Sequence, residues 1–173
     1  FSPESQPMPQ CLMQYAGLLE SEKPEINKIE EAAETIFEVA LDSGAADHVA
    51  DDVDAPHHQV QQSEGSKRGA GFIAADGERI PNRGQMELNL FTQNGNPLRS
   101  TFQVCRVNRP LWSVSRICEA GYDVNFISNG ANIKKKGTDD VICNFVKESG
   151  LYVAKLRLPP PSTQVFRRQG TKD

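Results

Sequence analysis

Asp42 is the carboxylate in this sequence whose surroundings best suit catalysis. It ends an alternating segment, Phe37 to Leu41, and is followed by Ser43, Gly44 and Ala45. The alternation predicts a strand, which would hold the carboxylate rigidly, and Gly44 would let a substrate or a second chain approach closely. Taken alone, the same residues are also typical of an ordinary turn after a strand.

One aspartate is not enough to activate water for attack on a peptide bond. Two carboxylates held about 3 Å apart share a proton, so that one acts as a base toward water while the other polarises the scissile carbonyl. The sequence contains a single Asp-Ser/Thr-Gly segment, at Asp42, so the second carboxylate must come from another copy. This chemistry requires a two-fold symmetric homodimer with the site on its axis.

The elements around Asp42 are predicted as strands joined by tight turns. Gly71 to Ala75 and Glu78 to Pro81 flank a turn at Asp76-Gly77. Further strands are expected at 86–90, 98–107, 122–126, 141–146 and 151–156, with turns at Asn94-Gly95 and Asn129-Gly130. One short helix is expected from Ser113 to Ala120, with Gly121 as its C-cap. The pattern indicates an all-β domain, a small antiparallel barrel or sandwich.

Three segments lie outside this β pattern. Residues 1–35 are expected to form an N-terminal extension, disordered over residues 1–9 and then partly helical, with helices at 11–19 and from Pro24 onward. Residues 51–70 have no clear period and predict a long surface loop. Residues 159–173 form a basic tail that opens with three prolines. The expected domain therefore covers residues 36–158.

Composition limits the classes of partner. The net charge of −4 gives the chain no polycation character, and the basic runs at Lys134–Lys136 and Arg167-Arg168 are local, so nucleic acid is not expected as a partner of the domain. No apolar run approaches the roughly 20 residues that span a bilayer, and no leader pattern is visible. The four cysteines are widely spaced, which favours reduced thiols and a cytoplasmic or intracellular-particle location.

Two other kinds of site deserve comparison with Asp42. His48, His57 and His58 lie among several aspartates and could be imagined as metal ligands, but adjacent histidines on an acidic loop are more often solvated surface, and no metal site is expected. A serine or cysteine nucleophile with His48 as base is a weaker candidate, because the sequence has no G-x-S-x-G elbow.

Four ordered segments resemble the protease domain of copia-type retrotransposon polyproteins and, more loosely, retroviral proteases. The first runs from Leu41 to Val49 and contains Asp42-Ser43-Gly44-Ala45. It is followed by Ala75-Asp76-Gly77 with Ile80 and Gly84, by Leu111-Trp112-Ser113-Val114-Ser115-Arg116-Ile117, and by Gly121-Tyr122-Asp123-Val124-Asn125-Phe126 with Asn129-Gly130 and Ile133. Ser113 stands where retroviral proteases have glycine.

The resemblance implies a small closed β-barrel of retropepsin type and an aspartic endopeptidase that acts as a homodimer on peptides, its own polyprotein among them. Asp42 would be the catalytic carboxylate, with Ser43, Gly44 and Ala45 as the active-site loop. Ala75, Asp76 and Gly77 would belong to a hairpin flap at about 69–84 that covers the substrate. No cofactor is implied.

Two alternatives stay open at this point. The chain could keep the retropepsin fold without catalysis and serve as a dimerisation or peptide-binding module. It could instead be a nucleic-acid-binding arm, which predicts binding that weakens steeply with salt.

Overall fold

β-strands dominate the protein, as the alternating segments predict. A computed structural model describes residues 33–74 and 76–161. The strands are β1 (Thr35–Asp42), β2 (Val49–Ala50), β3 (Gly71–Ile73), β4 (Arg79–Pro81), β5 (Gly84–Phe91), β6 (Pro97–Val104), β7 (Leu111–Ser113), β8 (Tyr122–Ile127), β9 (Gly130–Lys135), β10 (Val141–Glu148) and β11 (Leu151–Leu158). The helices are a 3-10 turn (Asp52–Asp54), α1 (Glu64–Lys67) and α2 (Val114–Glu119).

Strand β1 lies in the interior of the main sheet. Nine strands pair in the order β1-β7-β2-β6-β5-β11-β10-β9-β8, and β1 pairs with β11 as well. The β1–β11 pairing is antiparallel, whereas β1 and β7 are parallel, with Asp42 in register with Ser113. Strand β11 pairs with residues 35–40 of β1, and β7 pairs with residues 40–42, so the end of β1 that carries Asp42 is held by β7.

The two faces of β1 pack against different groups of apolar residues. Val39 and Leu41 belong to the larger cluster, together with Phe102 and Leu156. Ala40, on the opposite face, belongs to a smaller cluster whose buried members are Ala40, Val49, Phe72, Cys105, Leu111, Leu151 and Val153. Since side chains alternate along a strand, Asp42 shares the face of Ala40.

Strands β3 and β4 form a separate two-stranded hairpin. Phe72 of β3 is buried in the smaller cluster, and Ile80 of β4 packs against it. Gly77, in the turn, has a φ of 86°, a conformation that glycine adopts without the steric cost other residues meet. The hairpin therefore packs against the same cluster as the Asp42 face of β1.

The structure also corrects several details of the predicted elements. Two α-helices are present among the described residues, not one: α1 was missed because Glu64-Gly65-Ser66-Lys67 has no apolar period, and it is stabilised by a capping box between Ser63 and Ser66. Strands β2, β7 and β9 were not predicted, because the first two are very short and the third was interpreted as a turn followed by a basic surface.

Some predictions fall on residues that the structure does not describe. These are the N-terminal helices before residue 33, Ala75 of the expected flap, and most of the tail after residue 161. Within the described ranges, no helix has the length and apolar character needed to cross a membrane.

Candidate active site

Asp42 is a buried carboxylate whose two oxygens are held differently. The residue is 8% exposed. Its Oδ1 accepts a hydrogen bond from the Gly44 N–H at 2.8 Å. Its Oδ2 is buried and accepts no hydrogen bond of normal geometry from residues 33–74 or 76–161. A buried carboxylate oxygen without a hydrogen bond costs free energy, which makes Asp42 unusual among the described residues.

The pKa of Asp42 is shifted by its burial and by its backbone hydrogen bonds. Burial raises the pKa of Asp42 above its usual value, and hydrogen bonding from the backbone of Gly44 and Ala45 opposes part of this rise. A carboxyl group with a raised pKa keeps its proton to a higher pH than an exposed aspartate does, which is a property that general acid–base chemistry uses.

The three loop residues after Asp42 are more open. Ser43 and Gly44 are exposed, and Ala45 is half-buried. A Cβ atom added to Gly44 would lie 3.4 Å from Asp42 Oδ1, which is a tight but tolerable contact. The exposed Ser43 and Gly44 are therefore accessible to a substrate or to a second chain.

Ser113 ties this loop to the helix that follows β7. The residue is fully buried and is the N-cap of α2. Its Oγ donates to the carbonyl oxygen of Ala45 at 2.6 Å and accepts from the Arg116 N–H at 3.3 Å. A glycine could make neither bond, so Ser113 holds the loop after Asp42 in a way that glycine could not. The preference of serine for N-cap positions is the sequence signal that could have indicated the bond to Arg116.

Arg116 makes a second connection between the same two elements. Its Nε donates to the Ala46 carbonyl at 3.3 Å, and its guanidinium lies 3.5 Å from Asp47 Oδ2. Burial raises the pKa of Asp47, although the Arg116 charge opposes the rise. Nothing in the sequence pointed to this contact, because the two side chains are far apart along the chain.

His48 is the last residue of the loop between β1 and β2. Its Nδ1 lies 3.0 Å from the backbone nitrogen of Ser113. Desolvation, followed by the charge of Arg116, lowers the pKa of His48 to about 4. A serine nucleophile at Ser113 is excluded by this geometry, because the Ser113 hydroxyl donates to Ala45 and His48 contacts the backbone nitrogen instead.

The acidic residues after His48 are arranged around an arginine. Arg83 lies 2.9 Å from Asp51 and 3.5 Å from Asp52. No group of three or more histidine, cysteine, aspartate or glutamate side chains suited to a metal ion occurs in the described part of the chain. Asp51 and Asp52 are thus paired with a cation of the protein itself.

The expected flap residues are found in the β3–β4 hairpin. Asp76 and Gly77 occupy its turn, where Asp76 Oδ1 accepts the Glu78 N–H at 2.9 Å, while Ala75 lies outside the described residues. The basic run at Lys134 to Lys136 begins at the end of β9, and Lys134 is 3.9 Å from Asp139. The basic pair at 167–168 is beyond the described range.

Comparisons with known proteins give no match: no protein-family model, no curated protein and no solved structure is significantly similar to this chain.

Proposed function

We propose that two copies of this chain form an aspartic endopeptidase of the retropepsin kind, in which each copy supplies one Asp42. The observation that carries the proposal is the buried Asp42 carboxylate, at the end of an interior strand, with one oxygen held by Gly44 and the other unpartnered within the described chain. A second Asp42 about 3 Å away would share a proton with it.

The proposed mechanism uses the two Asp42 carboxyl groups and one water molecule. The ionised carboxylate of the pair takes a proton from water, which attacks the peptide carbonyl carbon, while the protonated carboxyl donates its proton to the carbonyl oxygen. The tetrahedral intermediate then collapses: its C–N bond breaks, the carboxyl that took the proton from water gives it to the leaving amine nitrogen, and the other carboxylate regains its proton from the gem-diol hydroxyl as the new carboxyl group forms. Burial already raises the pKa of Asp42 in the single chain, and a second carboxylate would raise one pKa of the pair further. The substrate class is a peptide or a polyprotein segment.

Sheet connectivity supports the barrel that this function implies. Strand β11 pairs with β1 through Thr35↔Leu158 to Ala40↔Val153, and with β5 at Arg157↔Phe91. The pairings thus run from β1 through β7, β2, β6 and β5 to β11 and back to β1, which is the order that a small closed sheet would have. The β3–β4 hairpin, which packs against the cluster on the Asp42 face, is the proposed flap.

We place the contact between copies at β8. This strand pairs with β9 alone among the described strands, so one of its edges is free. Phe126 is 46% exposed and Ile127 56% exposed. Antiparallel pairing about Val124 would set Asp123 opposite Asn125 of the partner subunit, so that no like charges meet. Strand β8 follows α2, whose N-cap, Ser113, is the register partner of Asp42.

The test compares the parent chain with Asp42→Asn, which is nearly isosteric and cannot ionise. Cleavage of a peptide library is measured at about pH 5.5, with and without a statine-type transition-state mimic. We expect cleavage by the parent alone, blocked by the mimic, and a rate for Asp42→Asn reduced by about 10³-fold or more. Sedimentation and thermal unfolding should show the variant folded and dimeric.

The other possible function is an inactive module of the same fold, for dimerisation or peptide binding. A parent chain that is folded, dimeric and unable to cleave any library peptide would favour it and contradict the protease. A nucleic-acid-binding arm has no specific support from the described residues. It would show binding to oligonucleotides that weakens steeply with salt and is indifferent to Asp42→Asn.

A further inference from the structure

His48 occupies a position that the proposed chemistry leaves unassigned. It follows the loop after Asp42 and precedes β2. Its backbone carbonyl accepts the Gln103 N–H at 2.8 Å, and its ring lies 5.8 Å from the ring of Phe102. The backbone of His48 is therefore anchored to β6, while its imidazole points to β7.

The hydrogen bond to Ser113 fixes the chemical form of the ring. A backbone N–H can only donate, so Nδ1 must be the acceptor and carries no proton. The neutral ring then has its proton on Nε2. A protonated ring would present an N–H to another N–H, and the bond would be lost.

The charged groups around the ring also favour the neutral form. Arg116 of α2 and Asp47 of the loop are the charged residues next to it, and they are paired with each other at 3.5 Å. The residues of β6 and β7 that contact His48, which are Phe102, Gln103 and Ser113, are uncharged. A second cation beside Arg116 is unfavourable in this half-buried place, in keeping with a pKa of about 4.

Through Ser113, the imidazole acts on the loop that carries Asp42. Ser113 is in register with Asp42, and its Oγ holds the Ala45 carbonyl at 2.6 Å. We propose that His48 is a positioning residue: its neutral imidazole holds the Ser113 N–H, fixes residues 43–47 against α2, and releases them when it is protonated. The consequence for catalysis rests on the proposed function, whereas the hydrogen bond between His48 and Ser113 does not.

Three variants separate this role from general stability. His48→Asn keeps an acceptor, because its Oδ1 stands at the same number of bonds from the backbone as Nδ1, and it does not titrate. His48→Leu removes the acceptor and leaves a buried Ser113 N–H unpaired. His57→Asn is the matched control, since His57 is exposed and has a φ of 67°, which asparagine tolerates.

The first measurement is independent of activity and uses NMR of the full chain from pH 7 to pH 3.5. We expect the His48 ring to be the Nε2–H tautomer, with a midpoint near the value of about 4, and the Ser113 amide signal to shift with the same midpoint. In His48→Leu, exchange of the Ser113 amide should accelerate by about tenfold or more at pH 7. A ring protonated on Nδ1, or unchanged Ser113 protection in His48→Leu, would overturn the proposal.

The second measurement is the pH dependence of cleavage. We expect His48→Asn to retain the parent rate within about threefold at pH 6 and to lose less activity than the parent as the pH falls toward 4. His48→Leu should lose about tenfold in kcat with little change in KM. The Asp42 pair gives both chains an acid limb, so the deciding quantity is the ratio of the two rates: a ratio of His48→Asn to parent that stays constant between pH 6 and pH 4 would contradict the proposal. If no chain cleaves, the proposed function fails while the NMR result still decides the role of His48.

Discussion

At the scale of single residues, the aspartates of this protein differ in what compensates their burial. Asp47 and Asp51 lie beside Arg116 and Arg83. Asp42 has a hydrogen bond to Oδ1 alone. Asp54 accepts the Asp51 N–H at 3.0 Å, and burial, together with the charges of Asp51 and Asp52, raises its pKa to about 7. Asp42 and Asp54 are thus the two carboxyl groups whose burial no arginine offsets in the contacts described.

We predict that Asp54→Asn stabilises the protein at neutral pH. Between the unfolded pKa of 3.8 and the folded pKa of about 7, the folded state binds the extra proton, so the free energy of unfolding falls as pH rises through this window. Asparagine keeps the acceptor and removes the charge. The free energy of unfolding of Asp54→Asn should exceed that of the parent by about 1 kcal/mol at pH 7.5, a figure reduced because Asp54 is partly exposed. The difference should vanish near pH 4.

Urea unfolding at both pH values measures this effect. Asp140→Asn, in the exposed turn between β9 and β10, is the control for loss of one negative charge. Equal effects of the two substitutions at pH 7.5 would contradict the role assigned to burial of Asp54.

At the scale of elements, the segment 51–70 is more firmly held than a free surface loop. Gln61 and Gln85 exchange two backbone hydrogen bonds, each of 2.8 Å. Asn82 accepts from the Ser63 hydroxyl at 3.3 Å and from the Gly84 N–H at 2.9 Å. The expectation of a long surface loop is therefore corrected in part: its second half is docked on the start of β5.

Gly84→Ala tests this docking. Gly84 has a φ of 135°, and an added Cβ atom would lie 2.3 Å from the Gln61 carbonyl oxygen, so the loop would have to move. We expect a loss of about 2 kcal/mol or more in the free energy of unfolding. Gly137→Ala is the control, because its φ is 74° and nothing lies within 4 Å of the added atom, so about 1 kcal/mol is expected. Chemical denaturation measures the free energy of unfolding of both variants. Equal losses would mean that the contact between Gly84 and Gln61 does not contribute to stability.

At the scale of the whole molecule, the free edge of β8 and the single Asp42 of each chain both favour a second copy as the partner. An unpaired strand edge exposes hydrogen-bonding groups that another chain can satisfy. The single chain supplies one Asp42, and its Oδ2 has no partner in the described residues. A second copy would meet both needs, which is why the dimer is the central element of the proposed function.

Ile127→Lys should weaken the dimer without unfolding the chain. A lysine in place of an apolar side chain that is 56% exposed at this edge opposes pairing with a second β8. We expect the dissociation constant to rise by about tenfold or more in sedimentation equilibrium, and activity to fall most at low protein concentration. Val53→Lys is the matched control, since Val53 is 59% exposed and lies on the 3-10 turn. If both variants had the same dissociation constant, β8 would not be part of the interface between the copies.

Local sequence patterns predicted much of the framework of this protein. The alternation from Phe37 to Leu41 and the turn residues at Asp42-Ser43-Gly44 were enough to place a carboxylate at a strand end, because strand burial and turn preference are properties of neighbouring residues. The short helix predicted from Ser113 to Ala120, with Gly121 closing it, is found at Val114–Glu119. The mostly β character is confirmed, while the retropepsin barrel and the protease activity stay proposals.

Other features were decided by tertiary structure alone. Strands β2 and β7 are too short to show a period, and they exist because they pair with β6 and β1. The contacts of His48 and Arg116 with β7 and the Asp42 loop join residues about 65 to 70 positions apart. Such contacts depend on strand register and chain reversal, which no short stretch of sequence encodes. The sequence therefore determined which carboxylate stands at a strand end, whereas only the folded chain determined how its loop is held.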